Sequence, residues 1–203
     1  ATIKKMPLTI KSATGISDKD YDGNNKASIY DVSLWDINNA PVSGVGRSIS
    51  ATFPDADADE TEVDVTVTVT LSEEAAKNYE LTNSPFVVQN AAKINKIAGS
   101  VNAPTGKTEL RYTGQAQELL ATAATSTTGS VEYKLDGGDW STELPKATNA
   151  GTYTVYYRST GDNNHYATNG TDSIKVTIGR KQIGIPAADT TAFVYDGNEK
   201  TYN

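Results

Sequence analysis

Cysteine is absent from all 203 residues, which excludes disulfide staples, thiolate metal sites and cysteine nucleophiles together. Histidine occurs once, as His165, beside Asp162-Asn163-Asn164. With no second histidine and no evident serine partner, a hydrolytic triad has no support, and His165 reads as a surface loop residue. No stretch approaches the ~18–20 consecutive apolar residues that a membrane-spanning helix needs. The opening Ala1-Thr2-Ile3-Lys4-Lys5-Met6-Pro7 lacks the apolar core and cleavage site of a secretory signal, so a secreted parent would carry its signal upstream. Positive charge is in short supply as well. Eighteen basic residues face 25 acidic ones, for a net charge of -7, and nucleic-acid binding ordinarily shows itself as a basic patch.

What remains is a chain rich in Val, Ile, Tyr, Ala, Thr and Ser, with 37% hydrophobic residues and a mean hydropathy of -0.47. That mixture favours a pleated, half-exposed surface over a helix. The acidity is local. Residues 1–95 hold 8 basic and 14 acidic side chains, whereas residues 96–180 hold 8 of each. The excess sits between Asp55 and Asp64.

The strongest signal is self-similarity. Tyr21-Asp22-Gly23-Asn24 returns as Tyr112-Thr113-Gly114-Gln115 and again as Tyr195-Asp196-Gly197-Asn198. Each is preceded by a similar strand start: Ile3-Lys4-Lys5-Met6-Pro7, Ile94-Asn95-Lys96-Ile97-Ala98 and Ile178-Gly179-Arg180-Lys181-Gln182. The first two are followed by Asn78-Tyr79 and Asn164-His165-Tyr166. This order divides the chain into repeats at 1–95 and 96–180, with 181–203 as the start of a truncated third.

A period of this length is too long for helical or leucine-rich solenoids and suits a β-sandwich of ~100 residues. Val63, Val65, Val67, Val69 and Leu71 alternate with Asp64, Thr66, Thr68 and Thr70, a period of two. Tyr153, Val155 and Tyr157, then Ile174, Val176 and Ile178, repeat the pattern. Asp136-Gly137-Gly138-Asp139 turns a hairpin from Val131–Leu135 toward Trp140. Only Glu73–Lys77 and, more faintly, Gln115–Ala124 suggest a helical turn. The connections between repeats are short and free of Pro- or Ser-rich spacers, which predicts sandwiches stacked as a semi-rigid rod.

These landmarks resemble a known group. The Tyr-Asp-Gly motif with its later Asn-Tyr is similar to the YDG-type repeats of bacterial surface proteins. Tyr133-Lys134-Leu135-Asp136-Gly137, Trp140-Ser141, Pro145 and Ala150-Gly151-Thr152-Tyr153 resemble the immunoglobulin-like repeats of bacterial adhesins. The resemblance implies an all-β chain of tandem immunoglobulin-like sandwiches from a secreted or wall-anchored parent, with no catalytic residues to carry over. The second repeat departs from the motif by having Thr113 in place of Asp.

Five residues stand out as candidate ligand contacts. Asp55, Asp57 and Asp59 alternate along one loop and can converge on Ca²⁺, a hard cation that takes six to eight oxygens. The EF-hand spacing is missing, and the corresponding Leu144–Asn149 of the second repeat is not acidic, so the competing reading is a solvated loop protecting a sheet edge. Trp35 and Trp140 are candidates for stacking on sugar. In Ala27–Asp36, alternation groups Tyr30, Val32 and Leu34 on one face and leaves Trp35 on the other. Lys11 and Asn90 occupy first- and last-strand positions where an intramolecular isopeptide bond can form. The expectation is a non-catalytic stalk or spacer module of a bacterial surface protein, extracellular and monomeric. Its alternative is a module binding a host or environmental glycan or glycoprotein. Ile183, Ile185, Phe193, Val194 and Tyr195 cannot complete a core alone, so dimerisation through this tail is a further expectation.

Overall fold

Alternation decides the structure of residues 63–71. Val65, Val67 and Val69 are buried while Asp64, Thr68 and Thr70 are exposed, as a strand with one wet and one apolar face requires. The structure, a computed structural model, describes residues 3–184, 187 and 196–198. Of the tail residues singled out above, Ile183 is exposed, and Ile185, Phe193, Val194 and Tyr195 lie outside the described residues.

The first half of the chain forms strands β1 (Met6–Thr14), β2 (Lys19–Asp20), β3 (Lys26–Ala27), β4 (Asp31–Trp35), β5 (Pro41–Val42), β6 (Arg47–Thr52) and β7 (Val63–Leu71). One helical turn, α1 (Ala75–Asn78), follows, and the Ser72 hydroxyl accepts the Ala75 N–H at its start. Strands β8 (Tyr79–Leu81) and β9 (Phe86–Ala92) complete two four-stranded sheets, in the orders β5-β4-β1-β8 and β3-β6-β7-β9. Leu8, Ile10, Val32 and Leu34 from one sheet join Ala51, Val65, Val67 and Val69 from the other in a single apolar cluster. Each fully buried aliphatic side chain there stabilises the fold by about 1.5–3 kcal/mol relative to exposure.

The second half contains β10 (Ile94–Asn95), β11 (Ile97–Ala98), β12 (Thr105–Gly106), β13 (Gln117–Glu118), β14 (Leu120–Thr122), β15 (Val131–Leu135), β16 (Lys146–Ala147), β17 (Gly151–Ser159), β18 (His165–Tyr166) and β19 (Ser173–Ile178). Its main sheet is β15-β17-β19, antiparallel throughout. A second cluster, separate from the first, forms around Leu119, Leu120, Tyr133, Val155, Tyr157, Val176 and Ile178. The chain is therefore all-β, built from several small sheets, with α1 as the one helix among the described residues.

Three local expectations turn out differently. Gln115–Ala124 is extended, supplying β13 and β14, because Gln117 and Glu118 pair with Ala147 and Lys146. Tyr30 does not share the face of Val32 and Leu34; it is 86% exposed. Gly15 presses against the Tyr30 backbone so closely that an added Cβ would lie 2.6–2.7 Å from Tyr30 atoms, and regular pairing begins only at Asp31. The Asp136–Asp139 turn forms as expected, with Gly137 at φ 69° and the Gly138 N–H donating to Leu135 O. Its return arm, however, is a single bridge from Ser141 to Tyr133 rather than a strand.

Candidate functional site

The two apolar clusters are joined by Lys93–Ala98, and this connection is hydrogen-bonded along its length. Its first part, β10, pairs in parallel with β2, and the Tyr21 N–H donates to Asn95 O at 2.9 Å. Its second part, β11, pairs in parallel with β18, and the Ile97 N–H donates to Asn164 O at 3.0 Å. The Asp59 N–H reaches Ile94 O from the acidic loop. A connection tied to both halves has little freedom to hinge.

Side chains close the same place. The Asn164 amide is held at both ends: Oδ1 accepts the Ala58 N–H at 2.7 Å, and Nδ2 donates to Asp57 Oδ1 at 3.0 Å. The Tyr21 and His165 rings meet edge to face, with centroids 5.6 Å apart and planes at 73°, a favourable aromatic arrangement. Lys96 Nζ donates to Asp162 O. His165 Nδ1 lies 2.8 Å from Asp162 Oδ1, and that hydrogen bond holds the Asp162 carboxyl below its ordinary value of 3.8.

The Tyr-Asp-Gly turn forms one wall of this junction. Gly23 adopts φ 78°, a left-handed conformation that glycine takes without steric cost. Asp22 Oδ1 accepts the Asn24 N–H, and Asn24 Oδ1 accepts the Lys26 N–H. Inside the turn the Lys19 ammonium donates to Asp22 Oδ1, Asn24 O, Asn24 Oδ1 and Lys26 O. The Lys19 hydrogen bond is the main reason the Asp22 carboxyl is lowered from 3.8. In the second copy, Thr113 takes the Asp22 role by accepting the Gln115 N–H through its hydroxyl. Either side chain closes this kind of turn, which explains how the motif tolerates the exchange.

The sequence candidates fall in different places. Asp55, Asp57 and Asp59 line one cavity of about 30 Å³ with Phe53, Pro54, Val63 and Ile94, far below the ~300 Å³ typical of a small-molecule site. Their oxygens serve the chain itself. Asp55 Oδ1 accepts the Asp57 N–H, and Asp57 Oδ1 takes the Asn164 amide. Asp59 Oδ1 accepts the Thr61 N–H and hydroxyl, which lower its carboxyl from 3.8. Among the described residues no group of three or more acidic, His or Cys side chains is placed to hold a metal ion.

Trp140 and Trp35 are both half-buried. The Trp140 ring is covered by cations: Arg158 Cζ lies 4.3 Å and Lys134 Nζ 4.9 Å from its centroid. Gly170 approaches its edge so closely that an added Cβ would sit 2.7 Å away. Arg158 is itself paired with Glu132 through Nε and Nη2. Trp35 pairs with Thr9 and Pro41 across its sheet. Lys11 is the bulged residue of β1 and Asn90 lies in the irregularity of β9; both are exposed, and the Asn90 N–H donates to Asp64 Oδ1.

The sequence marks Asn164 as an asparagine that locks a loop, but it shows neither the partners of Asn164 nor the clamp at Asn83. Asn83 brackets Ile10, accepting its N–H and donating to its carbonyl, and Asn164 does comparable work across 106 residues. The signal for Asn164 is the recurrence of Asn before an aromatic residue in Asn78-Tyr79 and Asn164-His165, whereas Asn83, followed by Ser84, carries no such signal.

A comparison with curated proteins finds no match. The family model that matches is described as the YDG domain, and it spans residues 3–85, taking in strands β1 to β8 and the Tyr21-Asp22-Gly23 turn. Over residues 3–85 the chain is therefore similar to the YDG domain.

Proposed function

We propose that the chain is a non-catalytic structural or adhesive module, a stalk or spacer segment of a large bacterial cell-surface protein. In this reading residues 1–95 and 96–180 are tandem immunoglobulin-like sandwiches placed end to end, and 181–203 opens a third. The parent is extracellular or wall-associated, and any glycan or glycoprotein it meets is bound elsewhere along it. The observation that carries the reading is the junction. A four-residue step from Ile94 to Ile97 is hydrogen-bonded to both halves and locked by Asn164 and Tyr21. A spacer needs that property, because a bendable connection would not hold a distant tip away from a surface.

Two features support it over a sugar-binding module. Trp140 is covered by Arg158 and Lys134, whereas stacking on sugar needs an open ring face. The acidic loop spends its oxygens on its own backbone and on Asn164.

Small-angle scattering combined with a glycan array tests the reading. The expected result is an elongated two-unit particle without glycan binding. A compact particle would remove the spacer role. Saturable glycan binding lost in Trp35→Ala or Trp140→Ala would replace it with the binding module.

A further inference from the structure

We propose that the exposed face around Tyr112 and Arg180 is a docking surface for a further repeat of the same kind, engaged through that repeat's Asn-aromatic loop. The proposal rests on the tandem-repeat reading above and assigns the Tyr-Asp-Gly turn a task in it. Each such turn receives the unit that follows.

The internal junction supplies the template. Tyr21 donates its N–H to Asn95 O, and Tyr112 donates its N–H to Gly179 O at 2.8 Å. Gly179 is thus the counterpart of Asn95, and Arg180 that of Lys96. On the opposite side, β1 pairs with β8 in parallel with Met6 against Tyr79, and β11 pairs with β18 in parallel with Ile97 against His165. Asn78-Tyr79 is therefore the counterpart of Asn164-His165.

Exposure separates the used positions from the unused ones. Tyr21, Lys96 and Asn164 are each half-buried at the junction. Their counterparts Tyr112, Arg180 and Asn78 are all exposed, Tyr112 by 39%. The same tyrosine-and-cation surface that holds one repeat is displayed again, open, beside the segment that follows β19. A second Asn-aromatic loop fits it by the same chemistry: a ring edge on Tyr112 and a backbone carbonyl on the Arg180 guanidinium.

One element does not transfer. The clamp loop between β6 and β7 is replaced in the second half by the short link Thr148-Asn149-Ala150 between β16 and β17. Docking at Tyr112 lacks the amide clamp, so it depends on the covalent connection that keeps the next repeat close.

The test is tyrosine nitration with tetranitromethane, mapped by peptide mass. The 203-residue chain is compared with a protein in which residues 1–180 are followed by a second copy of residues 97–180, so that Arg180 is kept. In the 203-residue chain Tyr112 should nitrate several-fold faster than Tyr21. In the lengthened protein Tyr112 should slow to the rate of Tyr21. Undiminished reactivity of Tyr112 beside a cooperatively melting added repeat overturns the proposal. An added repeat that stays unfolded also counts against it, since the copied sequence folds when it follows β9. Protection of Tyr112 that appears in the 203-residue chain only as its concentration rises would assign the surface to a second copy instead.

The template is checked separately in the 203-residue chain. Replacing Asn164 and His165 by Ala should raise Tyr21 reactivity several-fold, and an unchanged rate would show that this loop does not cover the motif tyrosine. Scattering on the lengthened protein keeps the two readings apart. An elongated particle with Tyr112 open removes docking and leaves the spacer. A compact particle with Tyr112 protected removes the spacer and leaves docking.

Discussion

Asn164 and Asp57 stand 107 residues apart in sequence and meet side chain to side chain at 3.0 Å, while the Asn164 oxygen takes the neighbouring Ala58 N–H. One amide thereby ties the second half of the chain to the acidic loop of the first. Two such hydrogen bonds contribute about 1–2 kcal/mol together. Asn164→Ala should lose that amount in urea unfolding and widen or split the transition. Asp57→Asn should lose less, because the backbone bond from Ala58 survives. An Asn164→Ala protein with unchanged midpoint and slope would show that the clamp carries no weight.

Acid should weaken the fold at identifiable points. Asp22 is lowered from 3.8 by Lys19, Asp31 by Arg47, Asp59 by the Thr61 backbone and hydroxyl, and Asp162 by His165. A carboxyl held below its unfolded value stabilises the native state fully above that value. The contribution is lost as pH falls through the lower native one. Stability should therefore be insensitive to these groups above about pH 5 and decline below it. Lys19→Met, which removes the largest cause at Asp22, should flatten part of that decline in a pH series of urea midpoints; an unaltered acid limb would exclude Asp22 as a contributor.

Tyr133 carries the most exacting hydrogen bond in the second cluster. It is 4% exposed, and its hydroxyl accepts the Ala124 N–H at 2.8 Å. Removing the hydroxyl leaves a buried donor without its partner, which costs about 1–3 kcal/mol. Tyr133→Phe should show that loss despite its near-identical volume. Burial also raises this phenol above 10, so the native state resists ionisation that the unfolded chain undergoes. Stability should fall as pH climbs past 10, and a Tyr133→Phe protein should fall less steeply.

Gly129 is a position without room for a side chain unless its neighbours shift. Its φ is 123°, and a Cβ there would lie 2.1 Å from Gly161 O. Gly129→Ala should cost about 2 kcal/mol or more through backbone strain and the clash together. Gly23→Ala, at a left-handed position with nothing within 4 Å, should cost only about 1 kcal/mol. Equal losses in thermal melts of the two variants would contradict the crowding at Gly129.

Much of the β character was legible because it rests on neighbours in sequence. Val65, Val67 and Val69 announce a buried face by alternation, and Gly137 announces its turn by the backbone it permits. Tyr30 was misplaced because alternation assumes an unbroken strand, and the approach of Gly15 interrupts it. The junction was opaque for a different reason. Asp57 looks like a metal ligand or a solvated charge until Asn164 arrives from more than a hundred residues away. Trp140 likewise looks available until Arg158 and Lys134 are seen on its ring. Short-range patterns report which face is apolar; they do not report which polar groups meet across the fold.

The connection Lys93–Ala98 also has a mechanical meaning. Its pairings with Lys19–Asp20 and His165–Tyr166 are both parallel, so tension drawn along the chain slides it lengthwise past its partners. Bonds loaded in that direction share the load and break together, whereas a strand peeled from its end surrenders them singly. Pulled from its two ends in a force spectrometer, the molecule should keep this connection intact until a whole unit gives way. A low-force extension preceding the main rupture would show the opposite.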